Sequence, residues 1–517
     1  MLTQTNIRQD TVKLTHALAL ILVSGNTFAS PSTVPAGIAW EQGDVSAAFA
    51  KAKAEKKPLF LYWGATWCPP CNQIKATVFN QQRFIDRTKQ FIPVYVDGDS
   101  PSAQKLASQF KVRGYPSMIL FKPDGTEITR LPGEVDAERY LSTLELGLSN
   151  ARPVKETLSS ALAGGKLSVD DWRLLADYSW ESDQAQLIEE SKLASTLKTL
   201  AQAVPATETY AATHLQLKAI SIAAGDEQAS TTPEELAILY KVLADKQLSR
   251  DNFDVIVNSA SDIVSQQSKA TSAERNKLTA AWSSALQKLA LDPSLSANDR
   301  LSALTSQVAL AKLDLAKDVK LAEPLLKEVR SRVSDADKST SNGYERQSVI
   351  STAAYTLSEA GLLDESDTLL KAELKRSHAP YYFMLSLGAN AKKRGNKDEA
   401  LGWYEEAYKK SEGPATRVQW GSSYISALID LAPQSDERIE QTAQSILKEV
   451  AVTPNAFYER SRRSLEKIVT KLSAWNKDKQ HEASVSRVLT QLDGICSKLP
   501  ATDPQRATCQ GLLKPKA

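Results

Sequence analysis

Two cysteines in the segment Trp67-Cys68-Pro69-Pro70-Cys71 have the residue type and spacing needed for redox chemistry. Electron exchange with a disulfide needs a thiolate, whereas a free cysteine with a pKa of ~8.5 is mostly protonated at neutral pH. A helix that begins at Cys68 would favour the ionised sulfur, because unpaired backbone N–H groups and the positive end of the helix dipole face it. Pro69 and Pro70 suit the first turn of such a helix, where a missing N–H costs nothing.

Cys71 follows Cys68 by three residues and therefore lies on the same helix face, where it can resolve a mixed disulfide formed at Cys68. We predict Cys68 as the nucleophile and Cys71 as the resolving thiol. One alternative is half of a zinc site, but a structural site needs four ligands at short spacings. Another is a purely structural disulfide, which we consider weaker because the turn between two prolines should expose the sulfurs. The chain's four histidines all lie outside this segment, at His16, His214, His378 and His481.

A second motif, Gly114-Tyr115-Pro116, precedes the apolar run 117–121 about 45 residues after the cysteines. With both motifs in this order, residues ~40 to ~148 resemble a thioredoxin domain. The resemblance implies a cis bond before Pro116, packed against the active-site sulfurs, and a Tyr115 backbone that pairs with extended substrate. It makes Trp67, Tyr115 and Pro116 substrate-binding residues, and it gives Pro69, Pro70 and Gly114 structural roles in the active site.

Hydrophobic periodicity supports the same fold without the motifs. Asp44 can cap a helix with apolar residues at helical spacing, and the apolar run Leu59 to Trp63 is typical of a buried central strand. Asp124-Gly125 marks a hairpin. The remaining predicted elements are strands at Phe91–Asp97, Met118–Phe121 and Glu127–Leu131, and helices at Ser102–Phe110 and Ala137–Leu148. This order predicts an α/β domain with a mixed central sheet and helices on both faces, over residues 40–149.

Two departures from the thioredoxin pattern concern the cysteines. Many thioredoxins carry a buried aspartate before the motif, thought to move protons at the second cysteine, and Tyr62 stands at the matching position. The lysine that often partners this aspartate corresponds to Pro93 or a neighbour. The residues between the cysteines are both proline, and without a histidine there the dithiol is not expected to be a strong oxidant.

The first residues predict export. Arg8 and Lys13 precede an apolar stretch, Leu14 to Val23, and small residues around Ala29 offer a cleavage site. We therefore expect a signal peptide at 1–29, a linker at 30–39 and a periplasmic protein without stable membrane insertion. The alternative is an inner-membrane anchor with the domains facing the periplasm, although the stretch is shorter than the ~20 residues that span a bilayer.

The chain contains a second pair of cysteines and has a net charge close to zero. Cys496 and Cys509 are predicted to form a structural disulfide near the C-terminal end, which export would permit; two unlinked thiols are the alternative. The formal net charge of 517 residues is only +2, so we expect no nucleic-acid partner. No metal ligand set and no cofactor are predicted.

Beyond Pro153 the sequence is rich in alanine, leucine, serine and lysine and predicts a large all-α region. We divide it into residues 150–340 and 341–517, with an exposed loop or boundary at Ser334–Asn342. Helices should open at Thr232-Pro233-Glu234-Glu235, at Ser168 with Asp171, and at Ser296 with Asp299.

Residues ~345 to ~412 resemble two tetratricopeptide repeats. Their turn glycines, Gly361 and Gly395, are 34 residues apart, the period of that repeat. Such helical stacks commonly hold a peptide or protein on a concave surface, but they can equally serve to stabilise, space or dimerise a neighbouring domain.

Two functions follow from these features. In the first, the protein is a periplasmic thiol-disulfide oxidoreductase, a reductase or isomerase rather than an oxidant, that acts on cysteine-containing envelope proteins and receives electrons from a membrane thiol carrier. In the second, it is an envelope binding or assembly factor whose thioredoxin domain serves mainly as a docking fold. The intact cysteine pair and Pro116 favour the first.

Overall fold

The computed structural model of the chain describes residues 37–133, 136–149, 152–183, 185–225, 232–316 and 319–514. The predicted signal peptide, residues 1–29, lies outside these ranges. An α/β domain with a five-stranded sheet is followed by a long succession of helices, which confirms the predicted fold class. Of the helices in the described ranges, none combines the length and the apolar character that crossing a membrane requires.

The sheet is mixed and has the strand order β1-β3-β2-β4-β5. Its parallel part consists of β1 (Glu41–Gln42), β3 (Ile92–Asp97) and β2 (Leu59–Gly64). β4 (Ser117–Phe121) runs antiparallel to β2 and to β5 (Glu127–Leu131). Every residue of the central strand β2 is buried, as an apolar strand covered on both faces requires.

Five helices complete the α/β domain. α1 (Val45–Glu55) begins at Asp44, whose carboxylate accepts a hydrogen bond from Ser46 N–H. α2 (Pro69–Ile74) starts directly after Cys68 and continues as a π-helical turn, Lys75–Phe79. The others are α3 (Gln82–Arg87), α4 (Ala103–Gln109) and α5 (Ala137–Leu148). β1 and α3 were not predicted, because elements of two and six residues are too short to show a period.

The all-α region begins at Val154 and contains helices of very different length. They are α6 (Val154–Leu162), α7 (Val169–Ala176), α8 (Glu190–Ala203), α9 (Thr209–Ala223), α10 (Pro233–Ala244), α11 (Lys246–Asp251), α12 (Phe253–Asn258), α13 (Ala260–Gln267), α14 (Ala273–Ala290), α15 (Ala297–Lys312), α16 (Glu323–Ser339), α17 (Gly343–Glu359), α18 (Leu363–Glu373), α19 (Pro380–Lys393), α20 (Lys397–Lys410), α21 (Pro414–Leu431), α22 (Asp436–Val452), α23 (Glu459–Trp475), α24 (Glu482–Lys498) and α25 (Pro504–Leu512).

The helix openings predicted from sequence are confirmed. Thr232 and Glu235 form a reciprocal capping box at α10, and Ser168 and Asp171 form another at α7. Ser296 caps α15 through its hydroxyl.

Of the two alternatives for Ser334–Asn342, the exposed loop is wrong for residues 334–339, whereas a boundary between helices does lie at residues 340–342. Residues to Ser339 belong to α16, and α17 begins at Gly343. The polar residues of this stretch form the outer face of a helix whose inner face buries Val333 and Ala336, three residues apart.

The stretch that resembles tetratricopeptide repeats forms the consecutive helices α17 to α20. Gly361 and Gly395 lie in the turns after α17 and α19 with φ of +81° and +78°, a conformation that glycine adopts without a Cβ penalty. A Cβ on Gly388 would stand 3.1 Å from the Tyr404 ring, so α19 and α20 approach each other closely there. The assignment of these helices to that repeat family stays a prediction.

Helices of the all-α region pack directly against the α/β domain at the end that carries the cysteines. α17 packs on α2, and α23 packs on α4. The side-chain amide of Gln73 in α2 donates to Asp299 at 2.6 Å and accepts from Asn298 at 2.7 Å, at the start of α15.

Candidate active site at the Cys68–Cys71 disulfide

Cys68 and Cys71 are joined by a disulfide at the start of α2. Cys68 is the N-cap residue of the helix, Pro69 and Pro70 form its first turn, and the Cys71 N–H donates to Cys68 Sγ at 3.2 Å. When the disulfide is reduced, this donor and the positive end of the helix favour the thiolate of Cys68 over its thiol.

The loop before β4 lies against this disulfide. The Tyr115–Pro116 bond is cis, and the carbonyl oxygen of Tyr115 lies 3.5 Å from Cys68 Sγ. The Ser117 hydroxyl donates to the carbonyl oxygen of Gly114 at 2.9 Å. Residues 114–116 and the cysteine motif, about 45 positions apart in sequence, thus meet at one place, where β2 and β4 pair.

The expectation that the turn exposes the sulfurs is wrong, since Cys68 is 2% and Cys71 0% exposed. The two sulfurs pack with Ala65, Trp67 and Tyr115 of the same domain, and helices of the all-α region in turn cover Trp67. The indole of Trp67 packs edge-on against Trp420 of α21 and face-to-face with Tyr382 of α19, with centroid distances of 5.0 and 6.2 Å. Local turn chemistry cannot reveal a cover made by residues more than 300 positions away.

Asp99 ties the active-site tryptophan to this cover. Its carboxylate accepts hydrogen bonds from Trp67 Nε1 at 3.2 Å and from the Thr416 N–H and hydroxyl at 2.9 and 2.6 Å. The Arg460 guanidinium of α23 forms an ion pair with the same carboxylate. The guanidinium also lies over the rings of Trp67 and Tyr115, 5.1 and 5.2 Å from their centroids. The sequence reasoning missed Asp99, Thr416 and Arg460, because no local pattern links them.

Further contacts hold the loops on either side of the disulfide. The carbonyl oxygen of Thr66 accepts hydrogen bonds from His378 Nε2 at 2.9 Å and from the Asn72 side chain at 2.8 Å. The side chain of Gln104 donates to Gly98 O and accepts from the Arg460 N–H. His378 was considered only as a zinc ligand and excluded by its distance in sequence, but its ring contacts the chain directly before the motif.

The proton environment of Cys71 differs from the thioredoxin pattern, as Tyr62 indicated. Tyr62 is fully buried, burial raises the pKa of its phenol, and within the described ranges its hydroxyl has no hydrogen-bond partner. Lys75, one helical turn after Cys71, is also buried. Burial lowers the pKa of the Lys75 amine to about 8, against the opposing charge of Asp97. Within the described ranges the amine nitrogen has no hydrogen-bond partner, and the sequence reasoning did not anticipate its burial.

The other cysteine pair lies far from this chemistry in the fold. Cys496 of α24 and Cys509 of α25 are joined by a disulfide with a Cα–Cα distance of 5.4 Å. Both sulfurs are fully buried in the apolar cluster formed by α20 to α25. This bond connects the last two helices and has no part in the site at Cys68.

Comparison with known proteins supports the thioredoxin-like resemblance of part of the chain. Residues 45–147 match a family described as a thioredoxin-like domain. The chain is 33% identical over 102 residues to the thiol:disulfide interchange protein DsbD of Pseudomonas fluorescens, which covers 19% of this chain and 18% of that protein. It is 26% identical over 159 residues to DsbD of Actinobacillus pleuropneumoniae, which covers 26% and 27%. The chain thus spans less than a third of these curated relatives.

Two solved structures are also similar to part of the chain. One is a DsbH oxidoreductase, 20% identical, with a TM-score of 0.21, covering 24% of this chain and 94% of that one. The other is a thioredoxin from Thermus thermophilus, 24% identical, with a TM-score of 0.20, covering 21% and 86%. The family match places a thioredoxin-like domain with an intact Cys-x-x-Cys pair in this chain, as the two sequence motifs predicted.

Proposed function

We propose that this protein is an exported thiol-disulfide oxidoreductase that reduces or isomerises disulfides of envelope proteins. The observation that carries the proposal is the Cys68–Cys71 disulfide at a helix start, directly beneath the cis peptide before Pro116. The relatives named as thiol:disulfide interchange proteins support this reaction class for the domain.

In the reducing direction, the Cys68 thiolate attacks one sulfur of a substrate disulfide. A bond forms between Cys68 and that sulfur, and the other substrate sulfur leaves as a thiolate. Cys71, after losing its proton, attacks Cys68 Sγ, which closes the Cys68–Cys71 disulfide and releases the second substrate thiolate. Two electrons pass to the substrate, and the two released thiolates take up protons. In isomerisation the first step is followed by attack of another substrate thiol on the mixed disulfide.

The active-site surroundings support a reductase or isomerase rather than an oxidant. The two residues between the cysteines are proline, so no histidine stabilises the reduced form as it does in strong oxidants. Turnover as a reductase then needs electrons, for which we propose a membrane thiol carrier. The predicted signal peptide supports placement in the periplasm, with a membrane anchor as the alternative; cell fractionation and N-terminal sequencing of the isolated protein distinguish the two.

A dithiol-driven insulin reduction assay tests the activity. The wild-type protein should accelerate the reaction, and Cys68→Ser should abolish the acceleration. The Cys496→Ala/Cys509→Ala variant is the matched control: it also loses two sulfurs but keeps the redox pair, so it should retain activity. Equal rates for wild type and Cys68→Ser would refute the oxidoreductase function.

One observation favours the second candidate function, a binding or assembly factor with a thioredoxin-type docking fold: Cys68 is only 2% exposed beneath α19 and α21. A Cys71→Ser variant separates the two. If the protein acts on disulfides, this variant accumulates mixed disulfides through Cys68, and mass spectrometry of the adducts from an envelope extract identifies the substrates. A binding factor would co-purify with partners that are not joined to Cys68.

A further inference from the structure

Two cavities open beside the Cys68–Cys71 disulfide, on either side of the loop that carries the cis peptide. The first, of about 500 Å³, lies between the disulfide and helices α19, α21 and α23, and it is lined by Cys68, Trp67 and Tyr382 among others. The second, of about 430 Å³, reaches past Pro116 to α9 and α12. Both are lined by Pro70, Arg113, Gly114, Tyr115 and Arg463, so they meet at residues 113–115 and Pro70, and Cys68 lines the first cavity.

The shape of this groove limits what can reach Cys68. With the helices of the all-α region over the site, a folded partner cannot lay a broad surface on the disulfide, whereas a single chain in extended conformation fits between the walls. In the described ranges the Tyr115 backbone N–H makes no hydrogen bond within the protein, so it is free to donate to such a chain.

The first cavity is positively charged. Its lining contains Arg113, Arg460, Arg463 and Lys467 and no carboxylate. Arg460 is neutralised by Asp99 and Arg463 by Glu459.

Arg113 and Lys467 remain as the excess charge. Neither has a carboxylate within ion-pair distance in the described part of the chain, and both are exposed to solvent in the groove wall. Burial and the neighbouring charges of Arg113 and Arg462 lower the pKa of Arg463, with Glu459 opposing, as expected where cations are crowded. The second cavity is more balanced, because its Lys218 pairs with Glu181 and Asp254.

We propose that the two cavities form one groove that binds an extended polypeptide segment with acidic residues beside its cysteine. This inference rests on the proposed oxidoreductase function and specifies its substrate class. Carboxylates of the segment interact with Arg113 and Lys467 while its cysteine sulfur reaches Cys68 Sγ, and the electrons and sulfurs move as described above. The cationic lining attracts anionic segments and raises their local concentration at the groove relative to a surface without net charge.

The test uses the reduced full-length protein in single-turnover reactions with ten-residue peptides, each with one cysteine capped as its methyl disulfide. The residues beside the cysteine are aspartate, asparagine or lysine in three otherwise identical peptides. Cys68 attacks the capped disulfide and Cys71 resolves the adduct, so one peptide thiol and one methanethiol appear for each protein disulfide formed. Each rate is divided by the rate of the same peptide with free dithiothreitol, which removes the intrinsic effect of peptide charge on reactivity.

We expect the normalised rate to be at least about tenfold higher for the aspartate peptide than for the lysine peptide at low salt, and this ratio should fall in high salt. Arg113→Glu combined with Lys467→Glu should invert the order of the two peptides. Lys448→Glu, on an exposed lysine of α22 outside the groove, should leave the order as in the wild type. Glutathione disulfide, a small acidic peptide disulfide that cannot fill both cavities, should react at least about tenfold more slowly than the aspartate peptide.

The outcomes separate this inference from the proposed function. If no peptide reacts faster with the protein than with free dithiothreitol, the oxidoreductase function itself is refuted. If all three peptides are reduced at equal normalised rates, the oxidoreductase function stands and the acidic specificity is refuted. If glutathione disulfide matches the aspartate peptide, the extended-segment part is refuted.

Discussion

Replacement of Asp99 by alanine should destabilise the folded protein and uncover its redox centre. The carboxylate of Asp99 is 12% exposed and is the ion-pair partner of Arg460, which is 10% exposed. It also accepts hydrogen bonds from Trp67 and Thr416. In the variant, the Arg460 cation stays buried without a carboxylate, and the three other donor groups, on Trp67 and Thr416, lose their acceptor.

The magnitude follows from the burial of the pair. Removal of one partner from a buried ion pair costs about 3–5 kcal/mol, because the remaining charge is left uncompensated in a poorly solvated site. A lost hydrogen bond to a charged group adds about 1.5–3 kcal/mol when measured alone, but the four contacts share one carboxylate and are not additive. We therefore expect a decrease of about 4 kcal/mol in the free energy of unfolding.

Urea unfolding of the oxidised protein at pH 7 measures this loss, with both disulfides intact in every variant. A second assay follows the alkylation of reduced Cys68 by a bulky maleimide in native buffer. Because the Asp99 contacts hold α21 and α23 over the site, the alkylation rate should rise at least about tenfold in Asp99→Ala. Asp493→Ala, at an exposed position of α24, is the matched control and should change stability by less than about 0.5 kcal/mol.

A loss below about 1 kcal/mol together with an unchanged alkylation rate would refute the reasoning. It would mean that the carboxylate does not hold the all-α region against the disulfide. A large loss of stability without faster alkylation would contradict only the second part, since the cover would then be held by the aromatic contacts of Trp67.

Three further predictions concern other buried features. Burial lowers the pKa of Lys75 to about 8, so the unfolded chain binds more protons between pH 8 and 10.5 and stability rises with pH across this window. Lys75→Met should therefore be more stable than wild type at pH 7 by up to about 3 kcal/mol, and the difference in stability should vanish near pH 10.5. Urea midpoints of both proteins at the two pH values measure this difference. A difference that does not change with pH would contradict the lowered pKa of Lys75. Removal of the Cys496–Cys509 bond, which closes a loop with a sequence separation of 13, should lower the free energy of unfolding by about 3 kcal/mol. The loss should be visible as faster amide hydrogen exchange in α24 and α25. Unchanged exchange in these helices would contradict a structural role of the bond. Gly413→Ala should lower the free energy of unfolding by about 3 kcal/mol, because Gly413 has a φ of +85° and a Cβ there would stand 2.5 Å from Asp99. Gly402→Ala is the control and should not destabilise the protein, because the space around Gly402 is open. Equal urea midpoints for the two variants would contradict the close approach of Gly413 to Asp99.

Sequence reasoning predicted most of the α/β domain because its signals are local. The alternation and length of apolar runs identified β2 to β5, and cap residues such as Asp44 and Ser168 marked helix starts to within a residue. Sequence reasoning missed β1 and α3, because elements this short show no hydrophobic period. It also took the end of α16 for a loop or boundary, because it considered only the polarity of residues that form the outer face of that helix.

Some residues of the candidate site could likewise be predicted from the sequence, and others could not. The cysteine pair, the prolines between them and the Gly114-Tyr115-Pro116 loop could be chosen from sequence, since each motif carries its own spacing. Asp99, Arg460, Thr416 and Lys75 could not, because their roles depend on burial and on partners that the fold brings from distant helices.

The sequence by itself determined the kind of chemistry. Two cysteines three residues apart at a helix start lie on one face of the helix, so the second thiol can attack a mixed disulfide formed at the first. The tertiary structure alone decided how that chemistry is reached. Packing of α19, α21 and α23 on the domain covers Trp67 beside Cys68, links Asp99 to Arg460 and sets Arg113 and Lys467 along the groove. Those contacts join residues hundreds of positions apart, and apolar burial and ion pairing bring them together only in the folded chain.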